Sequence, residues 1–159
     1  MSKVYWVTGI SGVGKTTFAN ILRKQLDEKK IVNILIDGDE IREILKKENS
    51  YSRENRMELA MIYSKLAKLI SDQGVTVIVS TISLIKEIHL WNKQNLKNYI
   101  EILIKRDISE IIKNDDRNIY KESEVVGVSI DAEYPENANF VLENIKIDEI
   151  EKYIRKHIL

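Results

Sequence analysis

The chain has 159 residues, of which 43% are hydrophobic and 31% are charged, a composition typical of one ordinary globular domain. Lys plus Arg and Asp plus Glu number 25 each, so the overall charge gives no reason to expect a nucleic acid or a membrane surface as a partner. The absence of cysteine excludes disulfides, thiolate metal sites and cysteine nucleophiles.

The predicted elements alternate between strands and helices along the whole chain. The predicted strands are Val4–Thr8, Ile31–Ile36, Val75–Val79, Tyr99–Ile104 and Phe140–Leu142. The predicted helices are Thr16–Lys29, Glu40–Lys47, Arg53–Ser71, one that ends at Leu96, Ile108–Asn114 and Asp148–His157. Residues 117–137 are polar, irregular and too long for a plain connection, which predicts a short lid.

This alternation predicts an α/β fold in which a parallel sheet is covered by helices on both faces. No linker, repeat or low-complexity block divides the chain, so we expect one domain over residues 1–159. The N-terminal residues lack the apolar core of a signal peptide, and no apolar run approaches the ~20 residues that span a bilayer. We therefore expect a cytoplasmic protein.

The run Gly9-Ile10-Ser11-Gly12-Val13-Gly14-Lys15-Thr16 fits the pattern G-x-x-x-x-G-K-[ST], and it lies between a predicted strand and a predicted helix. In such a phosphate-binding loop (P-loop), the glycines let successive amide groups point at phosphate oxygens, and the following helix presents its positive end. Lys15 is expected to reach the β- and γ-phosphates of ATP, and the Thr16 hydroxyl to bind Mg²⁺. The pattern therefore predicts a P-loop NTPase fold that binds a nucleoside triphosphate.

A second group of charged residues follows the second predicted strand, in Asp37-Gly38-Asp39-Glu40-Ile41-Arg42. Two carboxylates on a tight turn facing the loop can hold magnesium-bound water or accept a hydroxyl proton, and an arginine can clamp an anionic acceptor. Asp39 could instead only cap the following helix. A GTPase switch is not favoured, because Asn92-Lys93-Gln94-Asn95 lacks the aspartate of a guanine-reading motif.

The motifs together resemble the adenylylsulfate kinase family, whose members use Mg·ATP to phosphorylate the ribose 3′-hydroxyl of adenylyl sulfate. The matching segments occur in the family's order from Tyr5 to Asn144: WVTGISGVGKTT, IDGDEIR, YSRENR, AKLISDQGVTVIVSTIS, IKNDDRNIY and SIDAEYPEN. The resemblance implies a P-loop kinase, ATP and Mg²⁺ as cofactors, a small nucleotide as acceptor, a mobile lid and often a homodimer.

The resemblance also implies roles for individual residues. Lys15 and Asp39 look catalytic, and Thr16 and Asp39 look like magnesium-binding positions. The positions implied for ATP are Gly9, Ser11, Gly12, Val13, Gly14, Lys15, Thr16, Thr17 and Arg117. The positions implied for the acceptor are Asp37, Arg42, Tyr51, Arg56, Ile82 and Ser83.

Simpler interpretations exist for part of the acceptor side. Arg56, with Arg53, could belong to a solvated basic face, Tyr51 could be ordinary core, and Ser83 could cap the next helix. The two histidines of the chain, His89 and His157, match no motif. We expect both at the surface, without a metal role.

The sequence departs from the family on the acceptor side. Leu59 stands where the family has an asparagine, Thr81 where it has a phenylalanine, and the shortened lid has Val126-Gly127-Val128 in place of an aromatic residue that stacks on the base. These changes favour an acceptor other than adenylyl sulfate, and cytidine diphosphoramidate, the acceptor of a branch that acts in capsule modification, fits a smaller stacking surface. Adenylyl sulfate stays the alternative acceptor, and a gluconate- or shikimate-type kinase and a non-catalytic ATP-binding module are more distant ones.

Overall fold

The computed structural model describes residues 1–46, 52–115, 118–121 and 125–159. The strands are β1 (Val4–Thr8), β2 (Asn33–Asp37), β3 (Thr76–Thr81), β4 (Tyr99–Lys105) and β5 (Phe140–Glu143). The helices are α1 (Lys15–Glu28), α2 (Gly38–Ile44), α3 (Arg53–Asp72), α4 (Lys86–Asn95), α5 (Ile108–Lys113) and α6 (Ile147–His157). One 3₁₀ turn, Ile119–Lys121, lies in the predicted lid.

The five strands form one parallel sheet in the order β2-β3-β1-β4-β5. Parallel pairing places every strand's carboxyl end at the same edge, and β1 and β2 end there in Thr8 and Asp37. The loop that starts at Gly9 and the turn that contains Asp39 are therefore neighbours, although about thirty residues separate them along the chain. The predicted parallel α/β sheet is confirmed.

Alternation along β1 divides the core between the two faces of the sheet. Tyr5 and Val7 join a cluster that α1 and α6 cover, whereas Val4 and Trp6 join a cluster that α3 and α4 cover. All four side chains are buried. The continuous apolar character of VYWV, which alone could indicate either a helix or a strand, follows from burial on both sides.

The observed element boundaries differ from the predicted ones where polar residues take part in regular structure. β3 continues to Thr81, because Ser80 and Thr81 still pair with Val7 and Thr8 of β1. α2 begins at Gly38 rather than at Glu40, because the Asp37 side chain accepts a hydrogen bond from the Asp39 amide, at 2.9 Å, and caps the helix. An apolar pattern cannot detect either effect.

His89 corrects one prediction. We expected it at the surface, but its exposure is 4%, because α4 turns it toward β4 together with Ile88 and Asn92. A hydrogen-bond partner stabilises the buried histidine. This partner is Glu101, a buried carboxylate of β4 whose Oε1 lies 2.7 Å from His89 Nδ1. His157 is exposed on α6, as predicted.

Candidate active site

The phosphate-binding loop joins β1 directly to α1. Gly14 has a φ of +98°, a left-handed conformation that glycine adopts without strain, and it precedes the first residue of α1, Lys15. No side chain caps the first amides of α1, so these donors are available to an anion. The Lys15 ammonium donates to the main-chain carbonyl of Ile10 at 2.8 Å and therefore lies over the loop.

Two side chains that the sequence motif does not contain fasten this loop. Arg106, directly after β4, donates to the main-chain carbonyls of Val13, at 3.1 Å, and of Ile145, at 2.8 Å. The Tyr120 hydroxyl donates to the carbonyl of Ser11. Neither residue was predicted from the sequence. The available signals were that Arg106 follows a predicted strand at the ligand-binding edge of the sheet and that Tyr120 ends the segment IKNDDRNIY.

Asp37 is the carboxylate that lies beside the loop. It is 8% exposed, and its Oδ2 accepts a hydrogen bond from the Thr16 hydroxyl at 3.1 Å, while its Oδ1 accepts from the Asp39 amide. The Tyr63 hydroxyl, which α3 supplies, donates to the carbonyl of Gly38 at 3.1 Å and holds the turn from behind. Burial raises the pKa of Tyr63, so this hydroxyl keeps its proton.

The Asp39 carboxylate is mostly exposed to solvent. The side chain is 71% exposed and forms an ion pair with Arg42, one helical turn later on α2. Because Asp37 supplies the helix cap, the simpler interpretation of Asp39 as a cap is wrong. The structure brings Asp37, rather than Asp39, to the hydroxyl predicted to bind magnesium, and it leaves the Asp39 carboxylate open to solvent.

The chemistry of Thr16 and Asp37 fits Mg²⁺. A hydroxyl and a carboxylate are hard oxygen ligands, and here their oxygens lie 3.1 Å apart. Among the residues that the structure describes, no group of three or more His, Cys, Asp or Glu side chains could form a metal cage. Mg²⁺ bound with a nucleotide needs no such cage, because phosphates and water complete its coordination.

The residues after β3 form the wall beside the Asp37 turn. Ile82 packs against the core, and its carbonyl accepts a hydrogen bond from the Thr8 hydroxyl. The Ser83 hydroxyl lies 2.8 Å from the Thr81 hydroxyl, and Ser83 has a φ of +27°. The N-cap of α4 is Ile85, so the alternative that Ser83 caps this helix is wrong.

Arg53 and Arg56 have different environments on the first turn of α3. Arg53 is exposed and paired with Glu87, at 2.7 Å, and with Glu133, at 3.0 Å, and these hydrogen bonds raise its pKa. Arg56 is half-buried, and its Nη1 has no hydrogen-bond partner among the described residues. Burial lowers the pKa of Arg56, so a bound anion would stabilise this guanidinium.

Part of the predicted lid lies against the phosphate-binding loop. Gly127 has a φ of +91°, and a Cβ added to it would lie 2.6 Å from Cγ2 of Ile10. Two predicted site residues, Tyr51 and Arg117, lie outside the described residues. The described part of the site thus brings together the phosphate-binding loop, the Asp37 turn, the residues after β3 and the segment around Gly127. Arg56 stays a predicted acceptor-binding residue.

Replacing Gly127 with alanine should speed amide hydrogen exchange of residues 125–130 about tenfold or more, because over-packing costs about 1–3 kcal/mol. The matched control is Gly74→Ala, since Gly74 has the same φ of +91° with nothing within 4 Å of an added Cβ. Both variants carry the backbone strain, and only Gly127→Ala adds a collision. The comparison is between exchange around each substituted residue, 125–130 in Gly127→Ala and 72–76 in Gly74→Ala. Equal acceleration at the two sites would show that the segment does not rest on Ile10.

Comparison with known proteins identifies the family to which the sequence is similar. The sequence profile of the family described as adenylylsulphate kinase matches residues 1–143. The chain is 42% identical over 147 residues to the cytidine diphosphoramidate kinase of Campylobacter jejuni, covering 89% of this chain and 85% of that protein. It is 32% identical over 167 residues to the adenylyl-sulfate kinase of Clostridium acetobutylicum, covering 97% and 84% respectively.

Among solved structures, the APS kinase of Mycobacterium tuberculosis in complex with AMPPNP and APS has a TM-score of 0.88 at 24% identity, covering 99% of this chain and 97% of that one. At 24% sequence identity, this structural similarity establishes the fold and not the substrate. The strand-loop-helix cradle and the carboxylate turn beside it define a P-loop kinase, an ATP-dependent phosphotransferase that acts on a hydroxyl acceptor. The chain belongs to the adenylylsulphate kinase family.

No described helix has both the length and the apolar character that crossing a bilayer requires.

Proposed function

We propose that this kinase transfers the γ-phosphoryl group of Mg·ATP to the ribose 3′-hydroxyl of cytidine diphosphoramidate. The observation that carries the choice of acceptor is the identity of 42% to a cytidine diphosphoramidate kinase, against 32% to an adenylyl-sulfate kinase, each over more than four-fifths of both chains. The site adds support from the positions where the sequence departs from the adenylylsulfate kinase pattern.

Leu59 and Thr81 support an altered acceptor pocket. Leu59, in the place of an asparagine, packs against the apolar cluster beneath α3 and α4, so it offers no hydrogen bond to an acceptor. Thr81, in the place of a phenylalanine, has a hydroxyl 2.8 Å from the Ser83 hydroxyl and offers no aromatic ring to a base. A site built to hydrogen-bond one nucleotide loses affinity when such a donor becomes a hydrocarbon, which favours a different base.

The proposed reaction forms a bond between the ribose 3′-oxygen and the γ-phosphorus while the bond from that phosphorus to the β,γ-bridging oxygen breaks. ADP leaves, and the proton of the 3′-hydroxyl goes to the Asp39 carboxylate. Lys15 and the amides of the loop stabilise the charge on the phosphoryl oxygens. Arg42 and Arg56 bind the anionic groups of the acceptor, and the lid excludes water.

Thr16 and Asp37 are the residues that would hold Mg²⁺, and Asp39 keeps its proposed part as proton acceptor. When bound, the ion neutralises charge on the β- and γ-phosphates. The 3.1 Å contact between Thr16 and Asp37 supports this division between the two aspartates, as does the exposure of Asp39. Asp37 thus serves the ATP side of the site in this proposal, rather than the acceptor side.

Coupled ADP release with Mg·ATP should give a kcat/KM for cytidine diphosphoramidate that exceeds the value for adenylyl sulfate by about tenfold or more, since a lost hydrogen-bonding contact discriminates strongly. CDP as acceptor tests the contribution of the amidate group, and phosphorus NMR of the product locates the new phosphate. A preference for adenylyl sulfate would overturn the acceptor and leave the kinase assignment intact. ADP release with sugars alone, or only slow hydrolysis without an acceptor, would overturn nucleotide 3′-kinase activity.

A further inference from the structure

A buried carboxylate lies under α4, apart from the loop and the Asp37 turn. Glu101 of β4 has no solvent exposure, and its Oε1 accepts a hydrogen bond from the Tyr99 hydroxyl at 2.8 Å. The Lys93 ammonium lies 3.7 Å from its Oε2. Burial raises the pKa of Tyr99 well above its ordinary value, so this hydroxyl stays a donor. A buried carboxylate is costly unless it is paired, and the partner in closest contact is His89.

Both ring nitrogens of His89 face hydrogen-bond acceptors. Nδ1 lies 2.7 Å from Glu101 Oε1, and Nε2 lies 3.2 Å from the main-chain carbonyl oxygen of Glu133. An ionised carboxylate and a carbonyl can only accept, whereas a neutral imidazole has a single N–H donor. Because the Tyr99 hydroxyl donates to Oε1 of Glu101 and the Lys93 ammonium lies near its Oε2, the surroundings favour an ionised Glu101, and the doubly protonated imidazolium is then the form that satisfies both contacts.

Glu133 is the point at which the predicted lid joins the rest of the site. Its amide donates to the carbonyl of Leu84 at 3.2 Å, and its Oε2 accepts from the Lys86 amide at 2.8 Å, in the first turn of α4. Its carboxylate also binds Arg53 through Nε, at 3.0 Å, and Nη2, at 3.2 Å. Glu133, near the C-terminal end of the predicted lid, thus contacts the beginnings of both α4 and α3.

Arg56 lies one helical turn after Arg53, and its Nη1 has no hydrogen-bond partner within the described part of the chain. Arg53 binds both Glu87 and Glu133, so these contacts bring the first turn of α3 next to the lid residue Glu133. Positioning this turn also positions the main chain from which the Arg56 side chain extends. Preorganised binding groups lose less entropy when the ligand arrives.

We propose that His89, as an imidazolium held by Glu101, is a positioning residue for acceptor binding. It fixes the main chain at Glu133, which holds Arg53 and so places Arg56. This inference rests on the proposed function only in naming Arg56 as an acceptor-binding group. The hydrogen bonding of His89 and the anchoring of Glu133 belong to the folded chain, and both can be measured without substrate.

The first test is nitrogen NMR of the wild-type protein labelled with ¹⁵N-histidine. The chain contains two histidines, and the exposed His157 serves as an internal reference, assigned with His157→Gln. We expect protons on both Nδ1 and Nε2 of His89 at neutral pH, with slow exchange of the Nε2 proton. Observation of a single protonated nitrogen on His89 would overturn the proposal, whatever reaction the protein catalyses.

The second test compares His89→Gln with His157→Gln in steady-state kinetics and amide exchange. Loss of the imidazolium should raise the acceptor KM about three- to tenfold, with kcat and the ATP KM changed less than about twofold, and should speed exchange of the Glu133 amide. His157→Gln should match the wild type. Unchanged acceptor KM in a folded His89→Gln, or an equal loss in kcat and in ATP binding, would refute positioning.

A double-mutant cycle tests whether His89 acts through Arg53. If it does, adding His89→Gln to Arg53→Gln should raise the acceptor KM by less than about twofold beyond Arg53→Gln alone. Multiplicative effects of the two substitutions would overturn the route through Glu133. If no acceptor is phosphorylated at all, the proposed function fails, whereas the NMR spectrum and the Glu133 amide exchange still decide the role of His89.

Discussion

Replacing Lys15 with methionine should lower kcat for phosphoryl transfer about 100-fold or more without unfolding the protein, because removal of one preorganised charge-stabilising group typically costs 10²–10³ in rate. Lys15 begins α1, and its ammonium already lies over the loop, 2.8 Å from the Ile10 carbonyl. Methionine keeps much of the length of the side chain and its helix propensity while removing the charge. Single-turnover transfer from Mg·ATP measures the effect on the chemical step.

The matched control for this prediction is Lys24→Met. Lys24 is exposed and lies on the same helix, so it reports the cost of removing a positive charge from α1 away from the loop. This variant should retain kcat within about twofold, because surface substitutions have small effects. If Lys15→Met had the kcat of Lys24→Met, the ammonium would have no part in transferring the phosphoryl group.

The sequence predicted the phosphate-binding loop well because the motif and its context are local. A glycine-rich turn after an apolar run and before an amphipathic helix specifies strand, loop and helix within about twenty-five residues. The alternation of elements likewise predicted a parallel sheet. The order in which β1 lies between β3 and β4 could not be predicted from any one segment, because it depends on contacts between residues such as Val4, Val77 and Tyr99.

Side-chain directions in the site were harder to predict than residue types. Asp37 and Asp39 occupy one short turn, and their chemistry is identical. The helix cap determines which carboxylate faces the loop. Asp37 has extended backbone angles, φ −91° and ψ 129°, so its Oδ1 accepts from the Asp39 amide while its Oδ2 accepts from the Thr16 hydroxyl. His89 was misplaced for a related reason: its partners, Glu101 and Glu133, are 12 and 44 residues away along the chain.

Asp39 is the exposed carboxylate of the turn after β2. Its ion pair with Arg42 is exposed to solvent, and such pairs contribute little to stability, so Asp39→Asn should fold normally. Asparagine keeps the shape of the side chain and removes its ability to accept a proton. Asp37, not Asp39, contacts Thr16, so we also expect Asp39→Asn to bind Mg·ATP with nearly unchanged affinity.

Asp39→Asn should lower the rate of transfer about 10²- to 10⁴-fold, the range that general-base catalysis contributes. Single-turnover transfer and the Kd of a non-hydrolysable ATP analogue separate the chemical step from binding, and Glu40→Gln, an exposed neighbouring carboxylate, is the matched control. Asp37→Asn should instead weaken Mg·ATP binding first, so its main effect should appear in the Kd of the ATP analogue. Wild-type turnover by Asp39→Asn would move the proton acceptor elsewhere, and Asp37, which holds the Thr16 hydroxyl, would be the next carboxylate to test.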